Sequence, residues 1–215
     1  MTPAPRPGRG PGVLLLRAGA RLAIAVSLIA AAATGAVLTL FTQPVFALLD
    51  FHPVALDYLS GRLSRDQIEA LAFGGLGFSR SEIDHLDDVA ALLARLGRVF
   101  ALGVAVIAVL AVIDRSLLRP AASLAVVGLA LAGAVVVAAY LALGFQTVGI
   151  AFHEVMFPRG NWSFPHGSLI IRLYGTGVMV KGAAFVIALG LGLLAAAFIA
   201  TGFIARRTPR SQAEG

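Results

Sequence analysis

The sequence predicts an all-α membrane protein: a bundle of four transmembrane helices with a small extracytoplasmic cap built from two loops. Three observations carry this reading. Of the 215 residues, 59% are hydrophobic and only 13% are charged, whereas a soluble domain carries about a quarter charged residues. Mean hydropathy is +0.90, so there is too little polar surface to cover a water-exposed globule. Four stretches are also long and apolar enough to cross about 30 Å of hydrocarbon, which takes roughly 20 residues. Cysteine is absent, which excludes disulfides, thiolate nucleophiles and cysteine-ligated metals.

Residues 1–21 are rich in Pro, Gly and Arg and are expected to form a disordered, basic N-terminus lying against anionic lipid. The membrane domain, 22–204, opens with a first span from about Leu22 to Leu40. No clean cleavage site precedes the Phe-rich exit Phe41-Thr-Gln-Pro-Val-Phe46, so this run reads as a retained helix and not a signal peptide. The second span runs from about Val99 to Ile113, the third from Ala121 to Leu143 and the fourth from Gly182 to Ile204. The last three are rich in Ala, Gly and Val, which let helix backbones approach closely in lipid. Gly128–Ala132 and Gly192–Ala196 are candidate contact spacings. Residues 205–215 form a basic tail.

Orientation follows from the arginines in the short segments. With the N-terminus inside, that side holds nine arginines against two acids, and the other side eight bases against nine acids. The pI near 11.0 is thus a topology signal and does not point to nucleic acid. Both termini are placed in the cytoplasm, and loops 41–98 and 144–181 face outward.

The first outer loop holds eight of the eleven acids. Ser64-Arg-Asp-Gln67 fits a capping box opening a short helix through about Leu71, and Gly74-Gly75-Leu-Gly77 breaks it. Ser81-Glu-Ile-Asp84 reads as a second capping box, opening a helix that runs directly into the second span. Its apolar positions Ile83, Leu86, Val89, Leu93, Leu96 and Phe100 recur at the three- and four-residue steps of one helical face. His85 lies in the first turn, and Asp88, one turn on, can accept a hydrogen bond from it or raise its pKa. The alternative is a solvated polar turn.

The second outer loop reads Phe152-His153-Glu154-Val-Met-Phe157-Pro158-Arg-Gly-Asn161-Trp162-Ser-Phe164-Pro165-His166. Its aromatics fit a belt at the lipid headgroups, which leaves the titratable His153–Glu154 pair at the end of an apolar helix unexplained. Extended segments are expected around Leu169–Leu173. His52 and His166, each beside a proline, read as turn residues. HxxxH and HExxH spacings are absent, and the adjacent His153 and Glu154 cannot both point into one site from a regular helix, so no metal and no cofactor is assigned.

Glu82-Ile-Asp-His85-Leu-Asp-Asp-Val89 before one span, with Phe152-His153-Glu154-x-x-Phe157 and Asn161-Trp162-x-Phe164 before the last, resembles the lipoprotein intramolecular transacylases, a family of four-span bacterial membrane proteins. The resemblance covers the chain from the first span through the fourth. It implies transfer of the sn-2 acyl chain of a diacylglyceryl lipoprotein to the α-amine of that lipoprotein's N-terminal cysteine. It also implies His85 and His153 as the catalytic pair, with membrane lipids and diacylated bacterial lipoproteins as partners. Donor ester and acceptor amine belong to one substrate, so positioning and acid–base help suffice without an acyl-enzyme. Asp88 and Glu154 are candidates to orient an imidazole, and Asn161, Trp162 and Arg172 to stabilise an oxyanion. The competing reading is a non-enzymatic membrane accessory or interaction protein with an aromatic-rich cap. A transporter is disfavoured because the spans hold almost no ionisable residues.

Overall fold

The computed structural model describes residues 10–207. Four long helices meet the length and hydropathy needed to cross a membrane: α1 (Pro11–Leu40), α5 (Arg80–Ile113), α6 (Leu118–Met156) and α8 (Thr176–Arg207). Short elements fill the intervals: α2 (Gln43–Leu48), α3 (Val54–Leu59), α4 (Arg65–Ala70), the two-residue strands β1 (Ala72–Phe73) and β2 (Leu76–Gly77), and α7 (Leu169–Leu173). A single 3₁₀ turn, Arg115–Leu117, joins α5 to α6. The expected all-α four-span architecture is the one observed.

Helix limits differ from the sequence reading in three places. The first helix starts at Pro11, so 11–21 is helical and not a disordered arm. A proline suits the first turn of a helix, where its missing N–H has no partner to lose. The last helix likewise continues through Arg207, into the expected tail. Residues 1–9 and 208–215, where further disorder was expected, lie outside the described residues. The stretch Leu169–Leu173 is the helix α7 and not extended, with Ser168 as its N-cap residue.

The described chain divides into two compact units, 10–32 with 99–132 and 191–207, and 33–98 with 133–190. In the first unit, Ile24, Ala25, Ala32, Leu117, Leu118, Ala121, Ala125 and Leu194 form a buried core. Small residues bring the backbones together. A Cβ on Gly103 would meet the Ser27 carbonyl oxygen at 3.1 Å, and one on Gly128 would meet Ile29 at 3.3 Å. Gly192, the other expected contact glycine, has nothing within 4 Å. Leu102, Val109, Val112, Ile113 and Leu131 remain exposed, as lipid-facing side chains should. Arg119 lies 3.7 Å over the Phe198 ring and donates to the Phe198 carbonyl, and Arg17 pairs with Asp114 at 3.0 Å.

The second unit carries the loops. Its larger core joins Val54, Ala55, Ile68, Phe78, Ile83, Leu86, Leu169 and Ile170, so α3, α4, α5 and α7 share one apolar interior. The Ser64–Gln67 capping box forms as expected. Gly74-Gly75 makes the two-residue turn of the β1–β2 hairpin, and both have positive φ, 59° and 82°, the mirror-image geometry that twisted hairpins require. The capping box of α5 is Ser79–Glu82, two residues ahead of the expected Ser81–Asp84. The Ser79 N–H donates to Glu82 Oε2 at 2.6 Å, and the Glu82 N–H donates to Ser79 Oγ at 3.3 Å. Glutamate reaches back to the cap N–H where the shorter aspartate does not.

α6 contains one break. Gly144 has φ 81° and ψ 160°, a conformation essentially restricted to glycine. The span ends at this residue, and 145–156 continues as a separate helical arm that carries His153.

Candidate active site

His85 is placed by the start of α5. The Ser79–Glu82 box fixes the first turn, and Ile83 and Leu86 on either side of His85 are buried in the apolar interior. His85 lies fourteen residues ahead of Val99, where the apolar run of α5 begins, so its turn belongs to the cap. The imidazole is itself buried, at 8% exposure. Phe157 packs edge-on at 4.7 Å between ring centroids, and Phe164 edge-on at 5.5 Å.

His153 approaches from the 145–156 arm. Its ring centroid lies 6.4 Å from that of His85, with Trp162 at 5.2 Å and Phe157 at 5.8 Å. The two histidines, 68 residues apart in sequence, therefore share one aromatic enclosure. Phe157 is buried and Trp162 and Phe164 are half-buried, which leaves Phe152 as the exposed aromatic of this group. Most of the expected belt thus encloses the imidazoles.

Burial disfavours the charged form of His85, and the neighbouring His153 adds to the effect. Together they push its pKa from 6.5 down to about 4, with Asp88 acting weakly in the other direction. His85 is neutral at physiological pH. For His153, Nδ1 lies 2.8 Å from the Gly149 carbonyl oxygen, which can only accept, so Nδ1 carries a proton and Nε2 is the ring nitrogen left for other partners.

The remaining candidates separate into two groups. Asp88 does not bond His85, as the sequence reading allowed. Its Oδ2 accepts from Asn161 Nδ2 at 2.8 Å, and Oδ1 pairs with the exposed Arg159 at 3.4 Å. Asp88 and Asn161 so tie α5 to the loop that carries Trp162. The side chains of Glu154 and Arg172 are exposed and make no hydrogen bond or ion pair with another described residue, so the structure does not bring them to the histidines. His166 lies in a turn, as expected, whereas His52 lies in the irregular segment just before α3. The Val54 N–H donates to His52 Nδ1 at 3.3 Å.

Glu82 was not singled out from sequence. It is 2% exposed and uses both oxygens, Oε2 for Ser79 and Oε1 for the Ile170 N–H at 2.7 Å. One buried carboxylate thus joins the start of the His85 helix to the start of α7. The signal was available, since Ser79-Arg-Ser-Glu82 matches the Ser-x-x-Glu pattern. Tyr174 makes a second cross-link, donating to the His52 carbonyl and accepting from the Ala55 N–H. Arg65 makes a third, pairing with Asp84 and Asp87 of α5 and with Glu69.

Fold and site together define a multi-pass membrane protein whose cap encloses a pair of imidazoles, one held neutral by burial and one bound through Nδ1 to a backbone carbonyl. The family described as lipoprotein intramolecular transacylase, Lit, matches residues 48–177. Among solved structures, the membrane-integral Lit of Bacillus cereus is 17% identical, with a TM-score of 0.61 over 90% of this chain and 96% of that one. Two variants of the same protein also match. One with a histidine-to-arginine change has a TM-score of 0.60 and 18% identity over 93% of this chain and 94% of that one. One with a histidine-to-alanine change has a TM-score of 0.58 and 17% identity, over 90% and 94% respectively. At this identity the likeness concerns the fold. No curated protein sequence matches. The family match spans more than half of the chain, including both histidine-bearing segments: this chain belongs to the lipoprotein intramolecular transacylase family and is a membrane enzyme of that family.

Proposed function

We propose that this chain moves the sn-2 acyl group of a diacylglyceryl lipoprotein to the α-amine of its N-terminal cysteine, giving the N-acyl, lyso-form lipoprotein. The observation that carries this reading is the pair of imidazoles 6.4 Å apart in one aromatic enclosure. His85 is the base and His153 the acid. The neutral amine attacks the ester carbonyl, and the nitrogen of the tetrahedral intermediate loses its proton to His85. That proton is far more acidic than one on an ordinary ammonium, so an imidazole with a low pKa can take it. The bond from carbon to the sn-2 oxygen breaks, and His153, which enters this step as imidazolium with Nδ1–H on the Gly149 carbonyl, gives its Nε2 proton to the departing oxygen and is left neutral. A new amide and a free glyceryl hydroxyl result, and proton return between the imidazoles resets the pair.

Acid–base help of this kind contributes about 10²–10⁴-fold, and holding amine and ester together contributes up to about 7–11 kcal/mol. Trp162, whose ring lies against His153, is the nearest oxyanion donor candidate. Both termini are cytoplasmic, as the arginine bias requires, and the histidines work at the extracytoplasmic surface, where lipoproteins and membrane lipids are the partners.

The test is a diacyl reporter lipoprotein co-expressed in a host that lacks N-acylation, with wild-type protein, His85→Ala or His153→Ala. Intramolecular transfer conserves mass, so fragmentation of the N-terminal lipopeptide must locate the acyl chain. An acyl group on nitrogen that disappears in both variants is expected. An unchanged diacyl form beside well-expressed wild-type protein overturns the reading.

A further inference from the structure

His153 is held through Nδ1 by a backbone carbonyl. His85 has no such partner, and its Nδ1 is buried without a hydrogen bond. A second orphan belongs to the same site: Asn161 Oδ1 is also buried and unpartnered. One atom can donate when protonated and the other can only accept. Leaving either unsatisfied in the interior is costly, because each has given up its hydrogen bond to water.

The backbone brings the two side chains to one face. Asp88 follows His85 by one turn of α5, so both project from the same side of the helix. Asn161 is held on Asp88 by its Nδ2 at 2.8 Å. A carboxylate only accepts, so the amide nitrogen must face Asp88, and the carbonyl oxygen points away from it.

We propose that Asn161 sets the tautomer of His85, with Oδ1 holding the imidazole Nδ1–H through one buried water and Asp88 holding Asn161 from behind. A water of this kind accepts from Nδ1–H and donates to Oδ1, satisfying both orphans at once. His85 is then fixed as the Nδ1–H tautomer with the Nε2 lone pair free, and on His153 the Gly149 carbonyl likewise engages Nδ1–H. Both imidazoles present Nε2 to the substrate. Asn161 is a positioning residue that acts through His85, and Asp88 acts through Asn161.

The inference rests on the catalytic reading of His85, and its test separates the two. Nitrogen-15 NMR of histidine-labelled protein in lipid nanodiscs at neutral pH distinguishes a protonated Nδ1 from a protonated Nε2, with His85→Ala supplying the assignment. His85 in the wild-type chain is expected as Nδ1–H. In Asn161→Ala it should populate both tautomers, and kcat for the reporter lipoprotein should fall about 10- to 100-fold with KM little changed, as for other outer-shell partners of histidine. Asp88→Asn keeps an acceptor for Asn161 and should retain the wild-type tautomer, whereas Asp88→Ala should not. A wild-type His85 protonated on Nε2 overturns the proposal without recourse to any variant. So does an Asn161→Ala protein with unchanged tautomer and kcat while His85→Ala is inactive. Full activity in His85→Ala instead removes the catalytic reading, and this inference with it.

Discussion

Replacing Glu82 by Gln tests whether one buried carboxylate holds the histidine-bearing turn to the second loop. Each oxygen accepts a backbone N–H, at 2.6 Å from Ser79 and 2.7 Å from Ile170, and charge-assisted bonds of this kind contribute about 1.5–3 kcal/mol each. Glutamine can still accept at one oxygen, but its NH₂ then faces the other N–H. One strong bond is lost and a buried donor is left unpaired, at about 1–3 kcal/mol. Relief from burying a charge offsets part of this. A net loss of about 2–4 kcal/mol is expected, a fall in Tm of roughly 5–15 °C for a chain of this size. Thermal unfolding in detergent gives the magnitude. Hydrogen exchange at the Ile170 amide gives the place: slow in the wild-type chain and faster in Glu82→Gln, beyond what global destabilisation explains. Equal protection of Ile170 in both proteins, with a Tm change of a degree or less, would refute the reasoning.

Three further outcomes follow from the same site. His85 has a folded pKa of about 4 against 6.5 for the free side chain. Between these values the unfolded chain binds the extra proton. Stability should therefore fall as pH drops from about 6.5 towards 4, by about 3 kcal/mol in all, be level above pH 6.5, and lose this slope in His85→Gln. Tyr174→Phe removes the hydroxyl that bonds His52 and Ala55 and should cost about 1–3 kcal/mol, measured by thermal unfolding. Arg65→Ala breaks ion pairs with Asp84, Asp87 and Glu69, but its side chain is 39% exposed. The loss of stability should be small, at the limit of detection in thermal unfolding, and shrink further in high salt.

The spans were legible because lipid imposes one requirement, a long apolar run with internally paired backbone, and the sequence shows four. The ends were less so. Pro11–Arg21 is basic and punctuated by glycine, which reads as a loop, yet the helix continues because a helix can extend past the hydrocarbon into the charged interface. The apolar run Leu169–Leu173 fits strand or helix equally well by periodicity, and its burial against α3 and α5 decides for helix. His85 and His153 were legible as candidates because titratable groups beside apolar helices are unusual. Their pairing came from the family resemblance and not from spacing, since it depends on the 145–156 arm and on Phe157 packing against both rings. Asp88 was expected on His85 because helical spacing permits it, but spacing along one helix cannot reveal that Asn161, 73 residues away, takes the carboxylate instead.

The break at Gly144 has a consequence for how the enzyme tolerates its solvent. A helix whose apolar length differs from the local bilayer thickness tilts to compensate. Were α6 continuous, tilt of its span would carry His153 through space with it. A residue at φ 81° and ψ 160° interrupts the rod, so a change in tilt of the span need not carry the arm with it. Gly144→Ala, strained there by about 1–3 kcal/mol, should favour a straighter, stiffer helix. Transacylation in vesicles of short-chain and long-chain lipids should then stay level for the native chain and diverge for the variant. That outcome would make Gly144 the joint that spares the histidine pair from changes in bilayer thickness.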